Sequence, residues 1–286
     1  MDQPQNLRDP NALDELEISG FLAELVANIR QQVEVSKQEM SLSGLHALTS
    51  IQRRPIALSS VLRYDRGLSL TVEIKRQSYR GKTLIDRYDP VEQAHLFENL
   101  GVQALSVATN PLYYQGEIHH LTLVSQETRI PIIRNDFVFD PYQVYEARAA
   151  GADAVILIAA LLGENRLWDL VSIAQRLRMT PVVQVQNEQE LARTLKSDPL
   201  VIAISNVDWR TLEVDLSRTT RLCPQIPSHI VVVSMGGIRT PEDMALVAES
   251  GIDGVLVGEG LLGVPNPEEA IQTLFSLVNP DNRAIR

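Results

Sequence analysis

Eight short apolar runs alternate with eight helix-like stretches from residue 68 onward, and this rhythm constrains the fold more than any other feature of the chain. The runs are LSLTVEIK (68–75), ALSVAT (104–109), PIIR (131–134), DAVILIA (153–159), PVVQV (181–185), LVIAIS (200–205), HIVVVS (229–234) and DGVLVG (253–258). Each is rich in Val, Ile and Leu and apolar on both faces. A parallel strand reads this way when helices cover one side and a packed core fills the other.

Helical patterns occupy 90–100, 117–127, 141–150, 164–178, 187–197, 216–222, 240–250 and 267–278. Asp89-Pro90, Asp140-Pro141 and Thr240-Pro241 each set a capping side chain before a proline at the first helical position. Gly101, Gly151 and Gly251 end helices and lead straight into strands, which is the place for a left-handed C-terminal turn. Their recurrence points to a repeated βα unit. Strict alternation favours an α/β fold of one closed (β/α)8 TIM barrel, and a doubly wound open sheet satisfies the same pattern as the second choice. A chain of 286 residues, 44% of them hydrophobic, suffices for one such core. Residues 68–286 are assigned to the barrel. Residues 1–67 are assigned to an N-terminal helical extension, with helical periodicity over 15–38, packed across one mouth of the barrel or forming a dimer contact.

The net charge of −10 argues against a general attraction to nucleic acid or to an anionic membrane. No run of 18 apolar residues occurs, and the first residues are polar rather than a basic and apolar leader, so a cytoplasmic protein is expected. The single cysteine, Cys223, cannot form an intrachain disulfide and reads as a packing residue. The five histidines show no metal-ligand spacing, and no metal or other cofactor is expected. Composition leaves the oligomeric state open between monomer and homodimer.

In a barrel of this kind, reacting groups stand at the C-terminal ends of the strands and in the loops that follow. The first run ends Glu73-Ile-Lys75, and residues two apart on a strand share a face, so carboxylate and ammonium can both enter the mouth. Lys75 is the one lysine of four that falls in a strand. A charged pair within an apolar strand is either a structural ion pair or a ligand site. The last two runs end in Ser234-Met-Gly236-Gly237 and Gly258-Glu259-Gly260. Glycine turns after the seventh and eighth strands commonly hold a phosphate on their backbone N–H groups. Ser78 and Lys82 belong to a charged loop, RQSYRGK, that reads equally as a lid meeting an anion or as a solvated loop.

Several segments together resemble the indole-3-glycerol phosphate synthase family. They are Glu73-Ile-Lys75-Arg-Gln-Ser78, ALSVAT, the stretch from Pro131 through Asn135-Asp136-Phe to Asp-Pro-Tyr-Gln143-Val-Tyr-Glu-Ala-Arg, Gly151-Ala-Asp-Ala-Val, Glu213-Val-Asp215 and Gly258-Glu259. The resemblance runs from about residue 15 to residue 275, and DPYQVYEAR is its most specific part. It implies ring closure of 1-(2-carboxyphenylamino)-1-deoxyribulose 5-phosphate with loss of carbon dioxide and water, a lyase step of tryptophan biosynthesis. It assigns Glu73 and Lys75 to the catalytic pair, Ser78 to substrate binding, and Gly237 and Gly258 to the phosphate, with Gly236, Glu259 and Gly260 in the same turns.

Other family positions are replaced. The third-strand lysine, the family's general acid, is Asn135, and the fifth-strand catalytic glutamate is Gln184. The sixth-strand asparagine is Ser205, the arginine two places on is Val207, and the seventh-strand Glu-Ser is Met235-Gly236. The acidic residue after the second strand's threonine is Asn110. Asparagine and glutamine keep a hydrogen-bonding shape but transfer no proton near neutral pH. Three readings follow from this pattern. The first is the family reaction at reduced rate. The second is a non-catalytic relative, a pseudoenzyme, that binds a phosphorylated anthranilate- or sugar-type ligand. The third is a different reaction on a related sugar phosphate, built on Glu73 and Lys75.

Overall fold

A computed structural model describes residues 21–63 and 67–278. Eight parallel strands close into a barrel in sequence order. They are β1 (Ser69–Ile74), β2 (Ala104–Ala108), β3 (Ile132–Asn135), β4 (Ala154–Ile158), β5 (Thr180–Val185), β6 (Val201–Ser205), β7 (Val231–Met235) and β8 (Gly254–Val257). Every strand residue is buried except Met235, which is partly so, as expected of a parallel sheet with helices outside and a filled interior. The closed barrel expected from the alternation is the observed fold, and the open sheet is excluded.

The helices are α1 (Phe21–Glu39), α2 (Leu42–Ile51), α3 (Leu58–Leu62), α4 (Pro90–Asn99), α5 (Pro111–Tyr114), α6 (Ile118–Glu127), α7 (Pro141–Ala149), α8 (Glu164–Arg176), α9 (Glu188–Leu195), α10 (Ser217–Leu222), α11 (Pro241–Ala248) and α12 (Pro267–Leu274). Asp89, Asp140 and Thr240 cap α4, α7 and α11 through their side chains, with proline at the start of each helix. Asn110-Pro111 and Asn266-Pro267 do the same for α5 and α12.

The repeated βα unit has a physical basis at the N-terminal end of the barrel. Gly101, Gly151 and Gly251 have φ of 80°, 96° and 77°, a left-handed turn that glycine adopts without steric cost. Two residues later, each unit presents a side-chain acceptor to the strand before it. Gln103 Oε1 accepts from Leu70 N at 2.6 Å, Asp153 Oδ2 from Ile132 N at 2.8 Å, and Asp253 Oδ2 from Val232 N at 2.7 Å. Each bond satisfies a backbone N–H at the start of a strand.

The N-terminal helices connect the two ends of the barrel. Helix α1 buries Leu22, Leu25, Val26, Ile29 and Val33 at three- and four-residue spacing. Its C-terminal carbonyls at Ser36 and Met40 accept from the Tyr142 hydroxyl at 2.8 and 2.9 Å, and Lys37 pairs with Asp140 at 3.0 Å. Asn110, just past β2, donates to Gln32 at 3.2 Å, so α1 lies beside the β2 and β3 loops at the mouth. Helix α2 packs along α7, and Arg53 then reaches the opposite end, where it pairs with Asp153 at 2.7 Å. The first six residues of the helical pattern expected over 15–38, residues 15–20, lie outside the described residues.

Candidate active site

Strand register gathers the inward-facing side chains at the C-terminal mouth. Glu73 is level with Ser106, Asn135 with Ala108, Gln184 with Ile158, and Ser205 with Met235. A cavity of about 740 Å3, counting its open mouth, lies above this layer. Glu73, Lys75, Asn135, Gln184, Ser205, Gly236, Gly237, Gly258, Glu259 and Gly260 all line it. These ten residues, expected at the site from sequence, therefore share one chamber.

Glu73 is the centre of the polar network. Its Oε2 pairs with Lys75 Nζ at 2.6 Å, and its Oε1 accepts from Asn135 Nδ2 at 2.8 Å. Glu73 and Lys75 are 8% and 5% exposed, so the pair is desolvated and held by mutual attraction. Lys75 also stands 5.6 Å from the centre of the Tyr114 ring, a cation–π distance. Burial pushes the Tyr114 phenol well above its ordinary value, and the nearby Glu73 and Asp136 carboxylates add to this. That hydroxyl stays protonated through the neutral range. A side chain at Gly258, just past β8, would collide with the Glu73 carboxylate, so glycine is needed there as the surface on which the carboxylate rests. Gln184 is 3% exposed, and its amide makes no hydrogen bond to another described residue. It ends in the cavity with donor and acceptor both free.

The glycine turn after β7 is shaped by the loop after β6. Gly236 and Gly237 have φ of 80° and 79°. A β-carbon on Gly236 would stand 2.8 Å from Val207 Cγ2, and one on Gly237 would run into Val214. Val207 and Val214 face each other in an antiparallel bridge, closing residues 207–214 into a hairpin against this turn. Ser205 Oγ is used locally, donating to Val207 O at 2.9 Å. Across the mouth, Arg239 pairs with Glu259 at 2.9 Å above the two glycine turns.

Ser78 stands apart from the other expected residues. It does not line the cavity; its Oγ accepts from Lys82 N at 3.2 Å and so closes the 78–82 turn. Lys82 is exposed. The loop itself crosses the mouth, because Arg80 donates to the Leu212 carbonyl and Tyr79 packs edge-on against Trp209 at 5.6 Å. Phe137 joins the same wall, 5.5 Å from Trp209 and stacked on Tyr114 at 5.7 Å. Sequence reasoning singled out none of Tyr79, Tyr114, Trp209 and Arg239. Their one available signal was membership of loops that follow strands.

The loop after β6 carries two carboxylates whose titration is shifted. Burial alone would raise the Asp208 carboxyl, but the Arg210 N–H, the Arg218 guanidinium and the Thr211 N–H together hold it below its ordinary value. The Ser217 hydroxyl and Arg221 hold Asp215 below its ordinary value against a smaller effect of burial. A depressed folded value means stability that is present in full above 3.8 and lost as pH falls through the folded value. Urea unfolding measured from about pH 6 down to about pH 2.5 should show this loss, and an Asp208→Asn, Asp215→Asn protein should lose less over the same window. An equal loss in both proteins would remove these carboxylates from the acid response.

Among the described residues, no group of three or more His, Cys, Asp or Glu side chains is placed to hold a metal ion, and no helix is long and apolar enough to cross a membrane.

Comparison with known proteins bears directly on this chamber. The family model for indole-3-glycerol phosphate synthase matches residues 22–274. The indole-3-glycerol phosphate synthase of Salinibacter ruber is 34% identical over 256 residues, covering 89% of this chain and 94% of that protein. The Mycobacterium leprae protein of the same name is 34% identical over 255 residues, covering 89% and 93%. Among solved structures, thiamine phosphate pyrophosphorylase from Pyrococcus furiosus superposes with a TM-score of 0.57 at 19% identity, over 78% of this chain and 98% of that one. Orotidine 5'-phosphate decarboxylase from Pyrococcus horikoshii gives 0.54 at 15% identity, over 73% and 99%. At such identities the two structures speak for the barrel alone.

Proposed function

The chain belongs to the indole-3-glycerol phosphate synthase family, and from that premise we propose that its mouth binds 1-(2-carboxyphenylamino)-1-deoxyribulose 5-phosphate and closes the indole ring slowly. The observation that carries this reading is the Glu73–Lys75 pair, buried at 2.6 Å in a chamber that also contains both glycine turns. The phosphate end of the ligand is assigned to Gly236–Gly237 and Gly258–Gly260, whose backbone N–H groups need no side-chain charge. Arg239 adds a positive side chain to the lining beside these glycines. The aromatic end is assigned to Tyr114 and Trp209, which line the cavity and are both packed against the buried Phe137. Lys75 is placed to stabilise negative charge developing during ring closure. Asn135 and Gln184 position the substrate through hydrogen bonds and transfer no proton.

A second reading, a binding protein without turnover, is favoured by the state of Glu73. Both of its oxygens are engaged, one by Lys75 and one by the amide at residue 135. To reach a substrate, the carboxylate would have to exchange one of these contacts for it. In either case the site is complete within one barrel, so a monomer or a homodimer would serve, and the setting is read as cytoplasmic with no membrane or nucleic acid partner.

The test is turnover of the purified protein, followed by indole fluorescence, beside a Lys75→Ala variant. The expected result is slow turnover that falls by about 10²-fold in the variant, the scale of losing one preorganised electrostatic group. No turnover, with protection of the protein against thermal unfolding by the same compound, would replace the enzyme by the binding protein. Neither turnover nor protection would overturn both readings.

A further inference from the structure

The chamber is polar on one side and apolar on the other. Glu73, Lys75, Asn135 and Gln184, on or just past β1, β3 and β5, line the polar side. The opposite side, on and beyond β6, β7 and β8, is lined by Val207, Val214, Met235, Ile238 and Leu256. Ser205 stands at the end of β6 on this side, but its Oγ donates to Val207 O at 2.9 Å and accepts from Val207 N at 3.3 Å. Alternation along the strands turns the neighbouring polar side chains away from the chamber. Asn206 and Ser234 are completely buried and do not line it. Asn206 Nδ2 donates to Ser234 Oγ and to the Gly236 carbonyl, both at 3.0 Å, and Thr219 Oγ1 donates to Asn206 Oδ1 at 2.8 Å. Arg239 and Glu259, the charged lining residues beside the glycine turns, pair with each other at 2.9 Å. Between those turns and Trp209, the wall offers methyl and thioether groups.

The contacts of these apolar groups place them along the middle of the chamber. A β-carbon on Gly236 would stand 2.8 Å from Val207 Cγ2, and one on Gly237 would run into Val214 Cγ1, so both valines rest on the glycine turn. The bridge between Val207 and Val214 closes the hairpin that also carries Trp209. Met235 directly precedes the turn, level with Ser205 on β6 and Leu256 on β8. A ligand with its phosphate on the turns and its ring toward Trp209 therefore runs its linker across Val207, Val214 and Met235. A linker hydroxyl pressed against this wall gives up water and gains no partner, a loss commonly worth about tenfold or more in affinity.

We propose that the chamber selects a phosphorylated arylamine whose linker bears no hydroxyl toward β6 and β7, an alkyl-like tether in preference to a polyhydroxylated sugar chain. This rests on the reading of the chamber as a site for an arylamino sugar phosphate, and narrows it. Val207 and Met235 are the specificity residues, and they act through desolvation of the tether. Oxygen or nitrogen on the opposite face of the tether meets Lys75, Asn135 and Gln184, which supply donors and, through the two amides, acceptors. Neither Val207 nor Met235 takes part in proton transfer.

Two unreactive ligands, neither with a ketone, test this by titration calorimetry. One is 5-(2-carboxyphenylamino)pentyl phosphate, and the other is 1-(2-carboxyphenylamino)-1-deoxypentitol 5-phosphate, which adds hydroxyls along the same chain. The alkyl compound should bind more tightly by about tenfold or more. Its weaker hydration would favour it in any pocket, so two nearly isosteric variants isolate the wall. Val207→Thr and Met235→Gln each place a hydrogen-bonding group there. Each should tighten the pentitol compound by about three- to tenfold, the scale of one net hydrogen bond, and leave the alkyl compound unchanged or weaker. A pentitol compound that binds the unsubstituted protein as tightly as the alkyl one would overturn the inference and leave the site reading intact. Variants that shift neither ligand, or both alike, would do the same. Failure of the unsubstituted protein to bind either ligand would overturn the site reading and this inference with it.

Discussion

Replacing Asn135 by lysine and Gln184 by glutamate together should raise kcat/KM for ring closure by about 10² to 10⁴, the usual worth of positioned acid–base groups. The geometry explains why the pair is needed. Glu73 already has Lys75 at 2.6 Å, and Asn135 is 6% exposed, so a lone lysine at 135 adds a second cation to a desolvated site with one carboxylate. Its ammonium would be disfavoured by the neighbouring charge and by burial. A glutamate at 184 projects into the same chamber from β5, where the glutamine amide makes no bond that must be broken. The two new charges cancel. Each single variant should therefore gain less than about tenfold, and the double variant far more than their product, because groups that act together are not additive. The measurement is steady-state kinetics of the four proteins by indole fluorescence. A double variant no faster than the parent would put the deficit elsewhere in the mouth. The other positions at which the chain departs from what the resemblance implies, Val207 and Met235 in the cavity wall and Asn110 just past β2, would be the next to test.

The barrel was legible because parallel strands buried on both faces cannot hide: all eight expected runs coincide with strands to within two residues. The Asp-Pro and Thr-Pro pairs and the three helix-ending glycines marked the intervals between them. Helices without room for a period left no such mark. Helix α5 is four residues long, yet it carries Tyr114 into the mouth. Helix α7 is buried on most of its surface, with α2 packed along it, so it was marked by Asp140-Pro141 rather than by a one-sided apolar stripe. Arg134, read as part of an apolar run, is fully buried between Asp136 at 3.1 Å and Glu146 at 2.7 Å, a network that no strand pattern announces. The same division applies to the site. Glu73, Asn135, Gln184 and Ser205 sit on strands, where a period of two decides which side chains face inward. Ser78, Tyr79, Trp209 and Arg239 sit in loops, whose direction depends on turns and contacts made across the mouth. Ser78 turns inward on its own loop, while Trp209 is aimed by Gln186 of a neighbouring one.

Asp153→Ala should be among the most destabilising single changes at the far end of the barrel, by about 3–5 kcal/mol, with a fall in Tm of roughly 10 °C. Asp153 is completely buried and accepts four bonds. Arg53 donates twice, at 2.7 and 2.8 Å, and the N–H groups of Ile56 and Ile132 each donate at 2.8 Å. Alanine would leave two backbone donors and a guanidinium without their acceptor, and each unmatched buried donor costs about 1–3 kcal/mol. The corresponding positions in the repeated unit provide the control. Asp253 and Gln103 each serve one strand N–H through the side chain, so Asp253→Ala and Gln103→Ala should cost about 1–2 kcal/mol. Arg53→Ala should also cost less than the loss of Asp153, because Arg53 is about one-third exposed and the carboxylate keeps its two backbone partners. Thermal unfolding of the four variants orders them. If Asp153→Ala were no worse than Asp253→Ala, Arg53 and Ile56 would add nothing to the shared strand clamp. The expected larger loss would mean instead that Asp153 fastens the N-terminal segment to β3. The segment begins as α1 beside the β2 and β3 loops at the mouth, so limited proteolysis near residues 52–57 should then quicken before the barrel itself unfolds.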